Sequence, residues 1–261
     1  MTMKKFLGSL LMIFTLTCLS VFAQKPEAYT DGETLTYEAK YNKAILRGIP
    51  AADLNFAVER VAGSEDFLIK SEARSKGTLI RLFSKFYQNI QSTVDGKNFS
   101  VKRTVKRDEQ GDRVRESEAL FDYREKKVIY VETDPNNTAR PPRQFASPIQ
   151  ADTQDLITGL YTIRRLPLAV GETFDLSVSD SGLVYKIPVR VTARQQQKTI
   201  FGRVWCFRVE PEVFGVNRLI DDKGSMILWI TDDDRRLPVR SQINASIGRI
   251  EVKLKQVKSE K

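Results

Sequence analysis

The sequence predicts a mainly β protein: a strongly curved antiparallel sheet, or open β-barrel-like meander, with one principal α-helix packed in its concave side. Three observations predict this fold. Apolar and polar residues alternate with a period of two along most of the chain, as in strands with one buried and one exposed face. Short turns containing Gly, Asp, Asn or Pro separate these segments. Only one segment has a clear helical period.

The N-terminal segment predicts export. Residues 1–23 begin with the basic residues Lys4 and Lys5, and an apolar run follows over Phe6–Phe14. Val21 and Ala23 then provide small residues at the −3 and −1 positions of a signal-peptidase site. The run is shorter than the roughly 20 residues of a membrane span. Thr17 before Cys18 disfavours a lipoprotein site. We therefore expect a cleaved signal peptide, a single β-rich domain over 24–261 without a transmembrane span, and a place in the periplasm or cell envelope of a bacterium.

The alternating segments predict roughly 10–13 strands. Two of them, 203–209 and 225–230, are apolar at successive positions, so we expect both of their faces to be covered. The region 134–148 is the clearest long loop, and a division into two domains there is the alternative to one continuous sheet. The expected strands are 35–41, 53–61, 66–75, 86–94, 98–107, 113–123, 126–132, 172–179, 183–191, 203–210, 225–231, 237–244 and 247–255.

The principal helix is expected after Asp152 and Thr153, which can cap it, with Asp155 near its positively polarised start. One apolar stripe follows at helical spacing and consists of Leu156, Ile157, Leu160 and Ile163. The helix is expected to end with the two cations Arg164 and Arg165, before Pro167. A shorter helical piece is expected over 78–83.

Composition excludes several classes of enzyme. The 261 residues contain no histidine, so Ser-His-Asp triads, Cys-His pairs and His-ligated zinc are excluded. No Gly-rich phosphate loop or nucleophile elbow occurs. Cys206 lies in an apolar strand and is expected to be a buried, inert thiol. An enzyme is therefore not favoured, although carboxylate-based glycan hydrolysis stays open because acids are abundant.

Several segments resemble an exported bacterial envelope family, domain of unknown function 3108. They are GETLTYEAKYN (32–42), GIPAADLNFAVE (48–59), DLITGLYTIRRLPLAVGE (155–172), FGRVWCFRVEPEV (201–213) and ILWITDDDRRLPVRSQINASIGRIEVKL (227–254). The resemblance implies an exported β-rich domain that covers nearly the whole chain after residue 23. It brings no established activity, cofactor or catalytic residue.

Three further clusters are weighed as sites. The first cluster, Asp232, Asp233 and Asp234, could suggest a metal site, but neighbouring side chains in an extended chain point to opposite faces and do not converge on one ion. We therefore interpret it as a polar turn between two strands. The basic stretch 97–115 is interpreted as a solvated strand face. The functional alternative is a surface that contacts anionic lipid head groups, lipopolysaccharide phosphates or another acidic envelope polymer. The third cluster, which we call the apolar lip, consists of Leu79, Ile80, Leu82, Phe83, Phe86 and Tyr87. It is expected either to border the opening of the curved sheet or to belong to the buried core under a loop.

The leading functional hypothesis is a non-catalytic envelope protein that binds an apolar or amphipathic, lipid-like ligand in the concave face. Phe83, Tyr161, Trp205 and Trp229 would line the cavity, and Arg103 and Arg164 would hold an anionic group, unless they form structural salt bridges. The alternative is a scaffold that contacts an anionic polymer or a partner protein. No metal, cofactor or nucleic acid is expected, since the motifs for them are missing from the sequence.

Overall fold

The predicted fold class is confirmed. The structure, a computed structural model, describes residues 30–78 and 85–259. It is 63% strand, in one large curved open sheet, with one described helix, α1 (Leu156–Arg165). The strands are β1 (Thr34–Lys43), β2 (Leu46–Arg60), β3 (Phe67–Ser75), β4 (Phe86–Val94), β5 (Val101–Gln110), β6 (Arg113–Asp122), β7 (Lys127–Thr133), β8 (Arg143–Pro148), β9 (Gln154–Asp155), β10 (Thr173–Asp180), β11 (Leu183–Thr199), β12 (Gly202–Pro211), β13 (Gly224–Thr231), β14 (Pro238–Ala245) and β15 (Gly248–Lys258).

The order of the strands places the middle of the chain at both edges of the sheet. The 15 strands run β8-β7-β6-β5-β4-β3-β2-β1-β15-β14-β13-β12-β11-β10-β9, and each pair is antiparallel except β9 with β10. The first and last strands, β1 and β15, therefore pair at the centre of the sheet. The edge strands β8 and β9 are consecutive in the chain, so the sheet must curve to bring its edges towards each other.

The two edges meet at a seam between β8 and the β10–β11 turn. The hydroxyl of Ser147 donates a hydrogen bond to the carbonyl of Gly182 at 2.5 Å. Gly182 has a φ of +81°, and a Cβ built there would lie 2.9 Å from the Cβ of Tyr130 and 3.1 Å from that of Phe145. Glycine is required here both for its backbone conformation and for the close approach of the two edges.

The helix begins later than expected, with Asp155 as its N-cap. The Asp155 carboxylate accepts hydrogen bonds from the backbone amides of Ile157 and Thr158, each at 2.8 Å, and the Thr158 hydroxyl accepts from the Asp155 amide at 2.9 Å. This capping box satisfies the free amides of the first turn. The predicted cap at Asp152 and Thr153 is wrong, because β9 pairs with β10 before the helix begins.

Both faces of β13 are buried, as expected, but β12 is covered only in part, because Trp205 remains 45% exposed. Trp229 and Ile227 belong to one apolar cluster, which also contains Tyr161 of α1. Leu228 and Ile230 point the other way, into a second cluster that contains Ile163 of α1. Successive residues of a strand alternate between its faces, so a continuous apolar run requires two covering layers.

Three segments differ from the sequence prediction. The predicted long loop 134–148 contains β8, whose residues are mostly exposed and have no apolar alternation. β2 starts earlier than expected, at Leu46, and β11 continues to Thr199 with polar side chains that the hairpin with β12 holds in register. The expected signal peptide 1–23 and the residues 79–83 of the expected short helix lie outside the described residues.

Candidate functional site

The five predicted site residues that the structure describes do not line one cavity. Phe83 lies outside the described residues. Tyr161, Arg164 and Trp229 are buried. Trp205 is half-exposed, and the side chain of Arg103 is 52% exposed on an outer face. The described candidates therefore lie in the core or at the surface and do not meet around a common ligand site.

Arg164 is a structural residue rather than a ligand-binding one. Its guanidinium makes two hydrogen bonds with the carboxylate of Glu33, at 2.6 and 2.8 Å. It also donates to the carbonyls of Arg235 and Arg236, at 3.2 and 3.1 Å. These partners tie α1 to the start of β1 and to the β13–β14 turn. Burial lowers the pKa of Arg164, but the bonds to Glu33 outweigh it and hold that pKa above its usual value.

The expectation that Arg103 faces inward is wrong. The register of β4 with β5 shifts between Thr93 and Val94, so that Val94 pairs with Val101 and Thr93 pairs with Arg103. The extra residue turns Arg103 to the outer face, where its guanidinium bonds to Glu118 at 2.5 Å. The same shift directs Thr104 and Lys106 of β5 towards the concave side.

The two tryptophans lie in different environments. Trp229 is buried in β13, and the guanidinium of Arg240 lies 4.6 Å from its ring centroid. Trp205 lies near the tip of the β11–β12 hairpin, where Arg194 stacks at 4.5 Å from its ring. Trp229 is therefore part of the core, and Trp205 belongs to the outer surface of this hairpin.

A small trough on the concave side is the best candidate site. It lies between the inner face of β4–β7, the first turn of α1 and the β10–β11 turn. Its volume is about 30 Å³, close to the space of one water molecule. The lining, which mixes apolar, hydroxyl and charged side chains, is Ile90, Thr104, Lys106, Ser117, Ala119, Phe121, Tyr130, Asp155, Leu156, Ser179, Asp180 and Ser181. We refer to this set as the trough.

The charged groups of the trough have partners of unequal strength. The Lys106 ammonium lies 3.6 Å from the Asp180 carboxylate, which is longer than a direct charged hydrogen bond. Asp155, in contrast, accepts from two backbone amides with one oxygen and from the Thr104 hydroxyl at 2.6 Å with the other. Asp155 is therefore held as a helix cap, and the pair of Lys106 and Asp180 is the part of the trough able to exchange partners.

The basic stretch 97–115 carries little unpaired charge. Each of its cations has a carboxylate within 4 Å, and several of these pairs lie across neighbouring strands. The pairs are Lys97–Glu65, Lys102–Asp66, Arg103–Glu118, Lys106–Asp180, Arg107–Glu116, Arg113–Asp108 and Arg115–Asp134. The structure thus presents this stretch as a lattice of ion pairs and not as a uniform positive face.

The aspartate cluster lies in the turn between β13 and β14. Asp232 pairs with Arg194 at 2.6 Å, and Asp233 pairs with Arg235 at 2.6 Å. Burial raises the pKa of Asp233, but hydrogen bonds from Thr231 and Arg235 outweigh it and hold the pKa below its usual value. Within residues 30–78 and 85–259, no group of three or more acidic or cysteine side chains could hold a metal ion.

Part of the predicted apolar lip lies at the start of β4. Phe86 and Tyr87 are half-buried, and Arg74 lies 4.7 Å from the Tyr87 ring centroid. They border a cavity of about 470 Å³ whose described lining is mostly polar, with Arg74, Lys85 and Glu109. The remaining lip residues, 79–83, lie outside the described residues, so this cavity is assigned no site.

Comparison with known proteins identifies the family. The family model described as "Protein of unknown function (DUF3108)" matches residues 36–255, which is most of the chain. The chain belongs to this DUF3108 family. A search of curated proteins finds no match. The family assignment thus confirms the resemblance seen in the sequence and carries no activity with it.

Solved structures show the same kind of fold. A β-barrel-like protein of domain of unknown function DUF1849 from Brucella abortus matches with a TM-score of 0.58 at 9% identity, covering 87% of this chain and 97% of that chain. An exported protein with a YmcC-like fold from Bacteroides fragilis has a TM-score of 0.37 at 10% identity, covering 88% and 97%. A hypothetical protein from Chlamydia trachomatis has 0.33 at 7% identity, covering 88% of each chain. Only the first score is high enough to bear on the fold, and it bears on nothing else.

Across the described residues, no helix has the length and apolar character needed to cross a membrane. Sequence reasoning missed the trough residues because their inward direction depends on the register shift in β5 and on the seam. Lys106 and Thr104 were visible as one strand face, but the sequence gives no sign that Asp180 would lie opposite them.

Proposed function

We propose that this DUF3108 protein is exported to the bacterial envelope, where it binds a single-chain amphiphile in the trough without catalysing a reaction. The observation that carries the proposal is the mixed lining of the trough. Lys106 and Asp180 form an ion pair on the same concave surface as the apolar side chains of Ile90, Phe121 and Leu156. Concave sites with apolar walls and a few polar groups are the usual binding sites of small amphipathic molecules.

The paired charges favour a zwitterionic head group over an anionic one. A phosphate oxygen would accept from the Lys106 ammonium, and a head-group ammonium would bind the Asp180 carboxylate. Such a ligand replaces one loose internal ion pair, 3.6 Å long, with two intermolecular ones. Arg164, the earlier candidate for an anionic group, already bonds both oxygens of Glu33. A lysophospholipid with an ethanolamine head therefore fits the trough chemistry best.

The acyl chain requires more space than the trough offers, because about 30 Å³ accommodates about one water molecule. The seam is the natural place for opening. The edges meet there through the Ser147–Gly182 hydrogen bond and the packing of Gly182, whereas the other strands are joined by continuous ladders. Binding is then coupled to separation of the seam, and the free energy of that separation lowers the apparent affinity.

The competing functions have less support. A carboxylate-based hydrolase needs a free acid pair, but both oxygens of Asp155 accept hydrogen bonds and Asp180 faces Lys106. A scaffold for an anionic polymer needs unpaired cations, but those of the basic stretch have carboxylate partners. Export is supported by the basic start, apolar run and small residues of 1–23.

Native mass spectrometry with myristoyl-lysophosphatidylethanolamine, below its micelle concentration, tests the ligand proposal. The wild-type protein should form a one-to-one complex. Lys106→Gln should weaken the complex at least about tenfold, because it removes a charged hydrogen bond. Arg107→Gln is the matched control, since Arg107 is the next residue of β5 and pairs with Glu116 on the outer face. Equal binding by Lys106→Gln and wild type would overturn the proposal, as would equal losses in both variants.

Export has its own test. N-terminal sequencing of the protein recovered from a periplasmic fraction should give Gln24 as the first residue, in agreement with cleavage after Ala23. A chain that starts at its initiator methionine and stays in the cytoplasmic fraction would contradict the proposed localisation.

A further inference from the structure

One end of the sheet combines exposed aliphatic side chains with unpaired cations. Three connections meet there: the β1–β2 turn (43–48), the β12–β13 connection (212–223) and the β14–β15 turn (245–249). The hydroxyl of Tyr41 donates to the Ile247 carbonyl at 2.6 Å, which joins the first turn to the third. The hydroxyl of Ser246 donates to the Asp222 carboxylate at 2.6 Å, which joins the third to the second. We call this continuous surface the loop end.

The loop end exposes bulky aliphatic residues where turns normally carry small or polar ones. Ile45 is 94% exposed, Val216 is 82% exposed and Ile247 is 60% exposed. Leu46 and Ile220 beside them are each 40% exposed. Three separate connections thus contribute to one apolar surface, and scattered single exposures do not produce such a cluster.

The same surface carries cations without carboxylate partners. Lys43, Arg47 and Arg249 are exposed, and within the described chain none of them forms an ion pair. Arg218 is different, because it pairs with Glu212 at 3.1 Å. This contrasts with the basic stretch 97–115, where every cation has a carboxylate within 4 Å. The acids of the loop end are Glu212, Asp221 and Asp222, of which Asp222 accepts from Ser246 and from the backbone amide of Lys223.

We propose that the loop end docks on an anionic lipid surface, with Ile45, Val216 and Ile247 inserted at the boundary of the head groups and the free cations against lipid phosphates. Aliphatic residues ringed by Lys and Arg are the composition of interfacial membrane contacts. A second copy of the chain is a worse occupant, because a symmetric contact would place the same unpaired cations opposite each other. The net charge at pH 7, which is +9 for the full chain and +7 without Lys4 and Lys5 of the signal segment, also favours an anionic surface.

Vesicle sedimentation tests this proposal on the protein purified after export. We expect binding to vesicles of phosphatidylglycerol and phosphatidylcholine in equal parts, weaker binding as salt rises, and little binding to pure phosphatidylcholine. The triple variant I45D/V216D/I247D should lose at least about tenfold in bound fraction. The variant K43E/R47E/R249E should lose the preference for anionic vesicles. All six positions lie at exposed connections, and thermal unfolding followed by circular dichroism should match the wild type.

Leu120→Asp is the matched control, because Leu120 is an exposed aliphatic on the outer face of β6, opposite Arg103. It should bind vesicles like the wild type. Undiminished binding by the triple variant, an equal loss in Leu120→Asp, or no binding by the wild type would each overturn the proposal. A concentration-dependent dimer that the triple variant abolishes would assign the loop end to a second copy instead. Lys106→Gln should retain vesicle binding, so failure of the ligand proposal and failure of this one are distinguishable.

Discussion

The two halves of the sheet use their inner faces differently. β13 is buried on both faces, with Leu228 and Ile230 on one side and Ile227 and Trp229 on the other. β5 and β6 have a partly polar inner face, with Lys106 and Ser117 directed into the trough. Both halves therefore contribute to the apolar core, but only the half with β5 and β6 also keeps polar groups on an inner face where they can meet a ligand.

The helix explains this asymmetry. Its apolar side chains pack into both clusters, and Arg164 fixes its C-terminal turn to Glu33. Its N-terminal turn is bound to β5 through the hydrogen bond between Asp155 and Thr104. The helix therefore packs against apolar residues of both halves of the sheet and leaves the polar trough beside its first turn.

The largest expected difference between the two environments concerns ion pairs. Glu33→Ala leaves the Arg164 charge buried without its carboxylate, and it should lower the free energy of unfolding by about 3–5 kcal/mol. Glu118→Ala removes the partner of the exposed Arg103 and should cost less than about 1 kcal/mol. Urea unfolding of both variants measures the difference. Equal effects would mean that the buried pair is not what holds α1.

The second expected difference concerns apolar packing. Ile230 is fully buried in β13, so Ile230→Ala should lower the free energy of unfolding by about 2–5 kcal/mol. Ile129 of β7 is only partly buried, so Ile129→Ala should cost about 1 kcal/mol or less. Urea denaturation midpoints at a common slope test this pair of variants. A larger loss at Ile129 would contradict the difference in burial between these two positions.

The seam gives a smaller effect. Gly182→Ala combines a positive φ with a Cβ only 2.9 Å from that of Tyr130, and it should cost about 2–3 kcal/mol. Gly111→Ala, in the β5–β6 turn, shares the positive φ but has nothing within 4 Å of the added Cβ, so it should cost about 1 kcal/mol. Hydrogen exchange should show faster exchange around the seam in Gly182→Ala alone. Identical behaviour of the two variants would show that the edges do not need this close approach.

The smallest effect, counted for one tyrosine over one pH unit, is a pH dependence. Burial raises the pKa of Tyr37 and of Tyr161 above the ordinary value of 10.0, and it raises the pKa of Tyr123 to about 12. The stability that these protonated tyrosines contribute is complete below pH 10, the pKa of a tyrosine in the unfolded chain. It is lost progressively above pH 10, because the tyrosines of the unfolded chain lose their protons at a lower pH than those of the folded protein. The free energy of unfolding should then fall by about 1.4 kcal/mol per pH unit for each tyrosine. Tyr161→Phe should reduce this slope, and an unchanged slope would contradict the assignment.

The fold was largely predictable from the sequence, but the site was not. Alternation located most strands to within a few residues, and the unbroken apolar run of β13 correctly indicated cover on both faces, whereas the run in β12 is covered only in part because Trp205 is exposed. The stripe of α1 was also visible. The prediction that Arg103 faces the concave side was wrong, because one extra residue in β5 reverses the direction of every side chain after it. Alternation alone gives no sign of that shift. β8 was missed and predicted as part of a loop, because its polar residues form a strand only through pairing with β7.

The trough depended on contacts distant in sequence. Asp155 and Thr104 are 51 positions apart, and the edges that meet at Ser147 and Gly182 are separated by α1 and β10. No local pattern encodes such an approach. The family resemblance was informative for the fold, because the DUF3108 match covers residues 36–255.

The most direct test of ligand binding in the trough is mass spectrometry of lipids extracted from the protein after purification from its native envelope. Wild type and Arg107→Gln should carry a zwitterionic single-chain amphiphile in near-equal amounts with protein, and Lys106→Gln should carry far less. Extracts without any bound amphiphile, or with the same amount from all three proteins, would contradict a ligand site at Lys106 and Asp180.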